Sequence, residues 1–455
     1  MPKPRPSLRL LLLFEGMWEE QCAATLAREF DVTIEREGYD SWTWRGFARL
    51  LRLDANRWLD RLCERYRGRI DAVWSNDDQL GVLLAACLAR RLGLPGADPA
   101  AIVRAQHKVL LRRALAAALP EANVRAEPLP WSLRNRRSRD PQALDAAVRA
   151  VGLAWPRFCK PVKASFSVLA RVVADAEALA AHQRLPWFDR VLLQQQDRPW
   201  GELAARVLPL PCPPDRLLLE EPLQGRQVNV DGYVERGAIH VLGIVDECMY
   251  PGTVAGARHF AGFTFPSRQP AAVQQRAIAA ATAAVRAVGY DHGVFNVELF
   301  VLADGSVRVI EVNPRAAGQF ATLYRDVAGI DVQRLGIRLA AGLPIEMTQE
   351  PRVAGVGASF VFRRFDGRPA PEPTPEARAW LAQRHPRSVL WTEPCSRAAL
   401  RREYRWVGSH RHAVWNHTAA DFATLFRDGE EVAQRLFAVP MPAGLREHEP
   451  GGPQS

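Results

Sequence analysis

The chain has 455 residues, which is long enough for two or three domains with sizeable hydrophobic cores. Its hydrophobic fraction of 48% and charged fraction of 24% are those of an ordinary globular protein and exclude a largely disordered chain. The net charge of +10, carried almost entirely by arginine, suits phosphate groups or acidic substrates and would also suit nucleic acid.

The first hundred residues alternate strand-like and helix-like segments. The predicted strands are residues 8–14, 32–35 and 71–75, and the predicted helices are residues 19–30 and 79–92. The apolar N-terminal run is short and meets Glu15, so it predicts a strand and not a signal peptide. Gly93 is placed to end the second helix. This alternation predicts a small parallel sheet covered by helices.

Two lysines stand out in the next part of the chain. Lys108 lies on a predicted basic helix together with Arg112 and Arg113, for which a solvated helix face is the alternative interpretation. Residues 156–173 predict a strand, a loop and a second strand, with Lys160 near the end of the first strand. The loop after Lys160 reads KASFS, so it offers a further lysine and two serines but no glycine.

A pair of adjacent glutamates follows further along the chain. Residues 217–223 predict an apolar strand that runs into Glu220 and Glu221, for which a capped strand end is the alternative interpretation. Arg258 is predicted to lie on an irregular loop. The segments after the acidic pair are a predicted strand pair over 228–245, that irregular loop over 248–266 and a helix over 271–288.

Two glutamates are predicted to face each other across a hairpin. The dipeptide Asp-Gly at 304–305 separates two alternating apolar runs and indicates a two-residue turn, because both residues tolerate a positive φ. A turn there pairs Glu298 with Glu311 and Asn296 with Asn313, all on one face. The other face should carry Val297, Leu299, Ile310 and Val312.

The face with the two glutamates has the chemistry of a cation site. Directly opposed side chains have β-carbons about 5 Å apart, so two carboxylates placed there repel each other. Glu298, Glu311 and the amide oxygen of Asn313 therefore predict a hard-cation site, most naturally for Mg²⁺. Arg315 follows two residues later and should project near the same place. The alternative is a solvated polar face on an edge hairpin.

The segment EVNPR at 311–315, with a glutamate thirteen residues upstream, resembles the metal-binding end of the ATP-grasp superfamily. The resemblance covers roughly residues 70–345. It implies an α/β (α+β grasp) fold: a parallel pre-ATP-grasp α/β domain, an ATP-grasp domain of two α+β subdomains and a small C-terminal lid. The implied boundaries are 1–105, 106–350 and 351–440, followed by a disordered tail over 441–455.

The resemblance also assigns roles to individual residues. Arg315 matches the catalytic arginine, and Glu298, Glu311 and Asn313 match the Mg²⁺ ligands. Gln227 stands where the family usually has an acid for the ribose hydroxyls, so it would accept a hydrogen bond without charge assistance. The residues that the resemblance places around ATP are Lys108, Lys160, Glu220, Glu221, Leu223 and Gln227.

Most members of the superfamily join a carboxylate to an amine through an acyl-phosphate. The resemblance therefore implies an ATP- and Mg²⁺-dependent carboxylate–amine ligase that releases ADP and phosphate, with Mn²⁺ as an alternative ion. Its substrates would be a small-molecule acid and amine, with amino acids as candidates and Arg258 as a grip for a carboxylate. Two alternatives stay open: a grasp-fold carboxylase or phosphotransfer enzyme, and a nucleotide-gated binding protein.

The remaining expectations concern partners and location. The basic residues are not interleaved with aromatic ones except near 402–415, which does not favour nucleic acid as a partner. No apolar run is long enough to cross a membrane. Seven scattered cysteines without a CxxC pair predict reduced thiols and a cytoplasmic protein. A homodimer is left open.

Overall fold

A computed structural model describes residues 5–16, 19, 26–39, 52–133, 135–165, 167–253, 256–345, 352–393 and 395–445. The strands in these ranges form three β-sheets, of three, four and eight strands. Over the same ranges, no helix is both long enough and apolar enough to cross a membrane.

The first sheet is parallel, with the order β2-β1-β3, which confirms the prediction for this part of the chain. Its elements are β1 (Ser7–Leu13), β2 (Asp31–Glu37), β3 (Ala72–Trp74), α1 (Ala55–Tyr66) and α2 (Gly81–Leu92). Gly93 ends α2 in the left-handed conformation, as predicted. The predicted helix over 19–30 lies largely outside the described residues.

The second sheet has the order β4-β7-β5-β6 and is antiparallel. Its strands are β4 (Ala126–Ser132), β5 (Arg157–Pro161), β6 (Arg171–Val173) and β7 (Arg216–Glu220). The helices of this part of the chain are α3 (Pro99–Gln106), α4 (Lys108–Ala118), α5 (Pro141–Ala150), α6 (Ala176–His182) and α7 (Trp187–Val207). The predicted strand, loop and strand over 156–173 are confirmed.

The third sheet has the order β12-β11-β8-β9-β10-β13-β15-β14. Its strands are β8 (Arg226–Glu235), β9 (Ala238–Met249), β10 (Phe260–Phe265), β11 (Gly293–Val301), β12 (Val307–Asn313), β13 (Val356–Arg364), β14 (Val389–Thr392) and β15 (His410–Ala419). Strands from the last hundred residues thus extend the sheet that holds the predicted metal hairpin. The helices are α8 (Ala271–Ala287), α9 (Val332–Ala340), α10 (Pro375–Arg384), α11 (Arg397–Val407) and α12 (Phe422–Phe437).

The prediction of an irregular loop over 248–266 is wrong at both ends. Strand β9 continues to Met249, and Phe260–Phe265 forms strand β10, which lies between β9 and β13 in the sheet. Ala261, Phe263 and Thr264 are all buried, because a central strand is covered on both faces and loses the polar–apolar alternation that marks a strand in sequence.

The predicted disordered tail begins too early. Ala443–Leu445 forms a 3₁₀ turn, and the side chains of Met441 and Leu445 are buried in the core of the C-terminal region. Their burial explains the order of this part of the tail, because apolar contacts offset the loss of chain entropy. Residues 446–455 lie outside the described residues.

Helix α4 connects the second and third sheets at one point. The backbone N–H of Lys108, its first residue, donates to the carbonyl of Val162, which follows β5, at 3.1 Å. The same helix packs along β12 and α8. The first turns of α4, the end of β5 and the predicted metal hairpin therefore lie close together.

Candidate active site

The predicted pairing of the two glutamates is confirmed. Glu298 lies directly opposite Glu311, and Asn296 lies opposite Asn313. The polar face of this hairpin lies in the interior, where Asn296 and Asn313 are 2% and 5% exposed. The alternative of a solvated polar face is therefore wrong.

The prediction of a two-residue turn at 304–305 is wrong, although the pairing that it implied is correct. The turn has three residues, 303–305, because the N–H of Leu302 donates to the carbonyl of Ser306 at 2.9 Å. Gly305 takes φ +75°, as such turns require. A β-bulge at Ile310 then restores the register, so the extra turn residue and the extra strand residue compensate each other.

The bulge changes which side chain enters the core. Val309 is fully buried, whereas Ile310 is only half-buried. The prediction that Ile310 lies on the face opposite the glutamates, with Leu299 and Val312, is therefore wrong, because the bulge displaces the alternation by one residue on that side.

Arg112 holds the bulge in place. Its two terminal nitrogens donate to the carbonyls of Val309 and Ile310 at 2.6 and 3.0 Å, and its Nε donates to Glu220 Oε1 at 2.8 Å. The planar guanidinium thus ties the end of β7 to the hairpin. Of the two arginines singled out on this helix, Arg113 is exposed and Arg112 is buried in the site.

Three of the four lysines in the chain lie in this region, namely Lys108, Lys160 and Lys163. Lys108 Nζ lies 3.2 Å from Glu311 Oε1. Lys160 Nζ lies 3.0 Å from Glu220 Oε2 and 3.6 Å from Glu311 Oε1. Burial lowers the pKa of Lys160, and the carboxylates of Glu220 and Glu311 oppose that shift. Two buried ammonium groups therefore point at the acidic hairpin in a chain that otherwise uses arginine.

The two glutamates of the hairpin are electrostatically distinct. Burial, and then the charge of Glu311, raises the pKa of Glu298 to about 7. Burial acts on Glu311 in the same direction, but Lys108 and Lys160 outweigh it and hold its pKa below the usual value. The negative charge that remains between the two carboxylates would be neutralised by a cation.

Asn313 is arranged to add one further ligand atom. Its Nδ2 donates to Glu298 Oε1 and to Asn296 Oδ1, each at 3.0 Å. Its Oδ1 is therefore the atom left to face a cation. Two carboxylates and an amide oxygen are the donor set that Mg²⁺ prefers, so the residues present fit the ion.

The first sheet contributes a residue that sequence reasoning did not assign to the site. Asp78, just beyond β3, accepts from Ser165 Oγ at 2.5 Å and from Gln106 Nε2 at 2.9 Å. Its carboxylate also lies 3.8 Å from Lys163 Nζ and 4.0 Å from Arg315 Nε. Burial opposes the charged form of Asp78, but Lys163 and Arg315 outweigh it and lower the pKa. A polar triplet at the carboxyl end of a parallel strand was the available signal.

Glu247 on β9 was also missed. Its Oε1 accepts from Asn229 Nδ2 at 2.6 Å, while its Oε2 is buried without a hydrogen-bond partner among the described residues. Burial, and then the charge of Glu298, raises the pKa of Glu247. Glu247 lies directly opposite Gln227, the neutral residue at the position where the resemblance leads one to expect an acid. The structure therefore places a carboxyl group on the adjacent strand.

Asp231 completes the polar layer beneath the hairpin. It accepts from Asn296 Nδ2 at 3.0 Å and from the hydroxyl of Tyr324 at 2.8 Å, and burial raises its pKa to about 6. Asn229 and Asp231 alternate with buried valines on β8, and this period-2 pattern was the signal that could have identified them.

The other predicted residues lie around this cluster in different ways. Glu220 is buried with Arg112 and Lys160, whereas Glu221 is exposed and uses its backbone N–H to reach the carbonyl of Arg125 at 3.2 Å. Leu223 is half-buried, and Gln227 is buried on β8. Arg258 is exposed, donates to the carbonyl of Gly225 at 3.3 Å and lies 5.9 Å from the ring of Phe300.

We expect Glu311→Gln to lose stabilisation by nucleotide and metal without unfolding the protein. In the unmodified chain, a non-hydrolysable ATP analogue with Mg²⁺ at one hundred times its dissociation constant should add about 2.7 kcal/mol to the free energy of unfolding. The variant removes one of the two carboxylates and the partner of Lys108, so most of this gain should disappear. Thermal unfolding with and without ligand measures it.

The matched control is Glu121→Gln, which changes an exposed glutamate. It should keep the full rise in unfolding temperature. A Glu311→Gln protein with an undiminished rise would show that the hairpin carboxylates are not metal ligands.

Comparison with known proteins supports the same region as the functional one. Residues 154–323 match the model of the ATP-grasp domain family. Carnosine synthase 1 of Gallus gallus is 33% identical over 313 residues, which cover 66% of this chain and 31% of that protein. The chain therefore spans about a third of the length of the curated relatives it matches.

Solved structures show the same fold at low sequence identity. The L-amino acid ligase from Bacillus licheniformis superposes with a TM-score of 0.65 at 15% identity, covering 95% of this chain and 98% of that one. N5-carboxyaminoimidazole ribonucleotide synthetase from Thermus thermophilus gives a TM-score of 0.59 at 14% identity, covering 95% and 99%. These similarities confirm the predicted fold class.

Proposed function

We propose that this chain, in which residues 154–323 form an ATP-grasp domain, is an ATP- and Mg²⁺-dependent carboxylate–amine ligase. It would form an amide or peptide bond through an acyl-phosphate and release ADP and phosphate. The observation that carries the proposal is the meeting of Glu298, Glu311 and Asn313 with the buried cations Lys108 and Lys160.

The reaction needs positioning and charge neutralisation more than covalent help from the protein. A carboxylate does not acylate an amine at neutral pH, whereas its mixed anhydride with phosphate has a good leaving group. The γ-phosphoryl group of ATP is transferred to a carboxylate oxygen, which forms the acyl-phosphate. The bond that breaks joins the γ-phosphorus to the oxygen that bridges the β- and γ-phosphates, and ADP leaves with that oxygen. Attack by the amine then expels phosphate and leaves the amide.

The side chains of the site match these requirements. Lys108 and Lys160 would offset the charge of the phosphate oxygens, exchanging part of their pairing with Glu311 and Glu220 for the nucleotide. Arg315 offers a planar set of donors to the moving phosphoryl group, and Asp78 lies beside its Nε to orient it. The glycine-free loop is tied to the first sheet through Ser165 and Asp78.

Glu298, Glu311 and Asn313 would hold Mg²⁺, with Mn²⁺ as an alternative ion of the same preference for oxygen. When bound, the ion would neutralise charge on the phosphate groups during transfer. The partial neutralisation of Glu311 by two lysines leaves Glu298 as the carboxylate whose charge most needs the ion.

The substrates that we propose are a small-molecule carboxylate and an amine, with amino acids as the first candidates. Relatives named carnosine synthase and a structural neighbour named L-amino acid ligase support this choice. We retain Arg258 as the candidate grip for a substrate carboxylate. Its exposed guanidinium lies close enough to the buried Glu247 to oppose the rise in the pKa of that carboxyl group.

We expect ATP turnover to produce ADP and phosphate and to require both an acid and an amine. With the right carboxylate and hydroxylamine in place of the amine, a hydroxamate should accumulate, because hydroxylamine traps an acyl-phosphate. Oxygen-18 in the carboxylate should appear in the released phosphate. Mass spectrometry of paired pools of amino acids identifies the product, and Glu311→Gln should yield none.

A grasp-fold carboxylase or phosphotransfer enzyme is the second candidate. Its support is the fold shared with N5-carboxyaminoimidazole ribonucleotide synthetase and with biotin carboxylase from Campylobacter jejuni, the latter at a TM-score of 0.57. Turnover that depends on bicarbonate and yields no hydroxamate from any amino acid would favour this candidate. Label transferred to AMP would contradict both candidates.

A further inference from the structure

A second group of potential metal ligands lies in the C-terminal region, on strands and helices that the proposed reaction does not use. His385 directly follows α10, His417 lies on β15 and Asp428 lies on α12. One ring nitrogen from each histidine and one carboxylate oxygen all lie within 4.8 Å of one another. All three residues are buried, at 6%, 8% and 7% exposure.

Local hydrogen bonding accounts for only part of this arrangement. His417 Nε2 lies 3.0 Å from Asp428 Oδ2, which is an ordinary histidine–carboxylate pair. His385 Nε2, in contrast, is buried and has no hydrogen-bond partner in the part of the chain that the structure describes. Buried polar groups are nearly always satisfied, so an unpartnered nitrogen beside a histidine–aspartate pair indicates a missing ligand.

Aromatic side chains pack against both imidazole rings. The indole of Trp415 stacks on His417 with centroids 4.7 Å apart and meets His385 edge-on at 5.6 Å. Trp380 also meets His385 edge-on, with centroids 6.1 Å apart. Such packing holds the imidazoles in one orientation, as the shell around a metal site does.

The protonation states also suit a metal. Burial, and then the charge of His417, lowers the pKa of His385 to about 4, and burial lowers the pKa of His417 as well. Neutral imidazoles offer lone pairs at neutral pH, and Asp428 supplies one negative charge. Arg384 opposes a bound cation, but its side chain is exposed, so water screens its charge.

We propose that His385, His417 and Asp428 bind a zinc-class divalent ion that ties α10, β15 and α12 together. Two imidazoles and a carboxylate are a donor set typical of Zn²⁺, with water in the fourth position. Bonds of about 2.0–2.1 Å place tetrahedral ligand atoms about 3.4 Å apart, so the side chains need only modest rotations from their present separation. The site is distinct from the hairpin site, whose ligands are all oxygens.

Cobalt(II) tests the proposal because its visible absorption distinguishes tetrahedral nitrogen–oxygen coordination from the octahedral coordination expected at the hairpin. The chelator-treated 455-residue chain, kept in excess Mg²⁺ to fill the hairpin, is titrated with Co²⁺. We expect one tetrahedral ion per chain, displaced by Zn²⁺. His385→Gln should weaken Zn²⁺ affinity by roughly 10²-fold or more. Loss of a residue that only orients a metal ligand already weakens affinity by up to about 10²-fold, and His385 is proposed as a ligand itself.

The matched control is His412→Gln, which removes another buried histidine of β15 that lies 5.1 Å from the ring of Phe437 and outside the cluster. It should leave the cobalt spectrum and the affinity unchanged. Asp428→Asn is the second variant, for use if His385→Gln does not fold. Asparagine keeps the volume of aspartate and one oxygen that can accept a hydrogen bond.

Three outcomes would overturn the proposal. The first is the absence of a tetrahedral cobalt spectrum in the unmodified protein. The second is an affinity close to the unmodified value in a folded His385→Gln or Asp428→Asn protein. The third is a thiolate charge-transfer band, which would place the ion instead at the separate group of Cys395, Glu403 and His410.

Discussion

Replacing Glu220 by glutamine should lower the free energy of unfolding by about 3–5 kcal/mol, the usual consequence of removing one partner from a buried ion pair. Glu220 is 4% exposed, and its two oxygens face Arg112 at 2.8 Å and Lys160 at 3.0 Å. Without the carboxylate, Arg112 would lose the acid that it contacts here, and Lys160 would keep only Glu311, at 3.6 Å. Chemical unfolding of the 455-residue chain measures the difference.

The same interaction predicts a pH dependence. Burial opposes ionisation of Glu220, but Arg112 and Lys160 outweigh it and hold the folded-state pKa at about 2, below the ordinary value of 4.5. The stabilisation is therefore fully present above the ordinary pKa and is lost as the pH falls towards the folded-state pKa. It amounts to about 3 kcal/mol. The stability difference between the unmodified protein and Glu220→Gln should shrink as the pH falls from about 5 to 3.

Glu221→Gln is the matched control for both measurements. Glu221 is the adjacent residue, is exposed, and reaches the carbonyl of Arg125 through its backbone N–H. Its replacement should change stability by less than about 0.5 kcal/mol at any pH. An equally small change for Glu220→Gln would mean that the buried ion pairs contribute nothing net to folding.

Replacing Arg315 by lysine should reduce turnover by roughly 10²-fold or more, the scale of a lost preorganised donor at a reacting oxygen. Lysine keeps the positive charge but lacks the planar fork, so binding of ATP should change little. Arg315 is close to Asp78 on one side, with 4.0 Å between Nε and Oδ1, and donates to the carbonyl of Ala316 at 3.3 Å. Steady-state kinetics and nucleotide binding separate the two effects.

Arg286→Lys is the matched control, because it makes the same arginine-to-lysine replacement at an exposed residue on α8. This variant should retain normal turnover. Near-normal turnover in Arg315→Lys would exclude a role for Arg315 in the chemical step. A parallel loss of ATP binding and turnover would assign Arg315 to nucleotide binding instead.

The sequence by itself determined the local features of this protein. Alternation and the Asp-Gly dipeptide predicted the hairpin and its polar face, because both signals lie within one short segment. The predicted pairing of Glu298 with Glu311 holds because the longer turn and the bulge cancel. The parallel first sheet followed from its strand–helix alternation. The positions of Lys160 and Glu220 at strand ends were also readable, since each depends on only one element.

The tertiary structure alone decided which distant residues complete the site. Arg112 reaches the carbonyl of Val309 across 197 positions, and Ser165 reaches Asp78 across 87. Glu247 entered because β9 continues to Met249, past the predicted end of the strand pair at 245, and stays paired with β8. A one-residue bulge preserved a register that the three-residue turn would have shifted. Periodicity reports which face a side chain occupies within its own element. The neighbour across that face depends on how sheets and helices pack, and no local pattern encodes it.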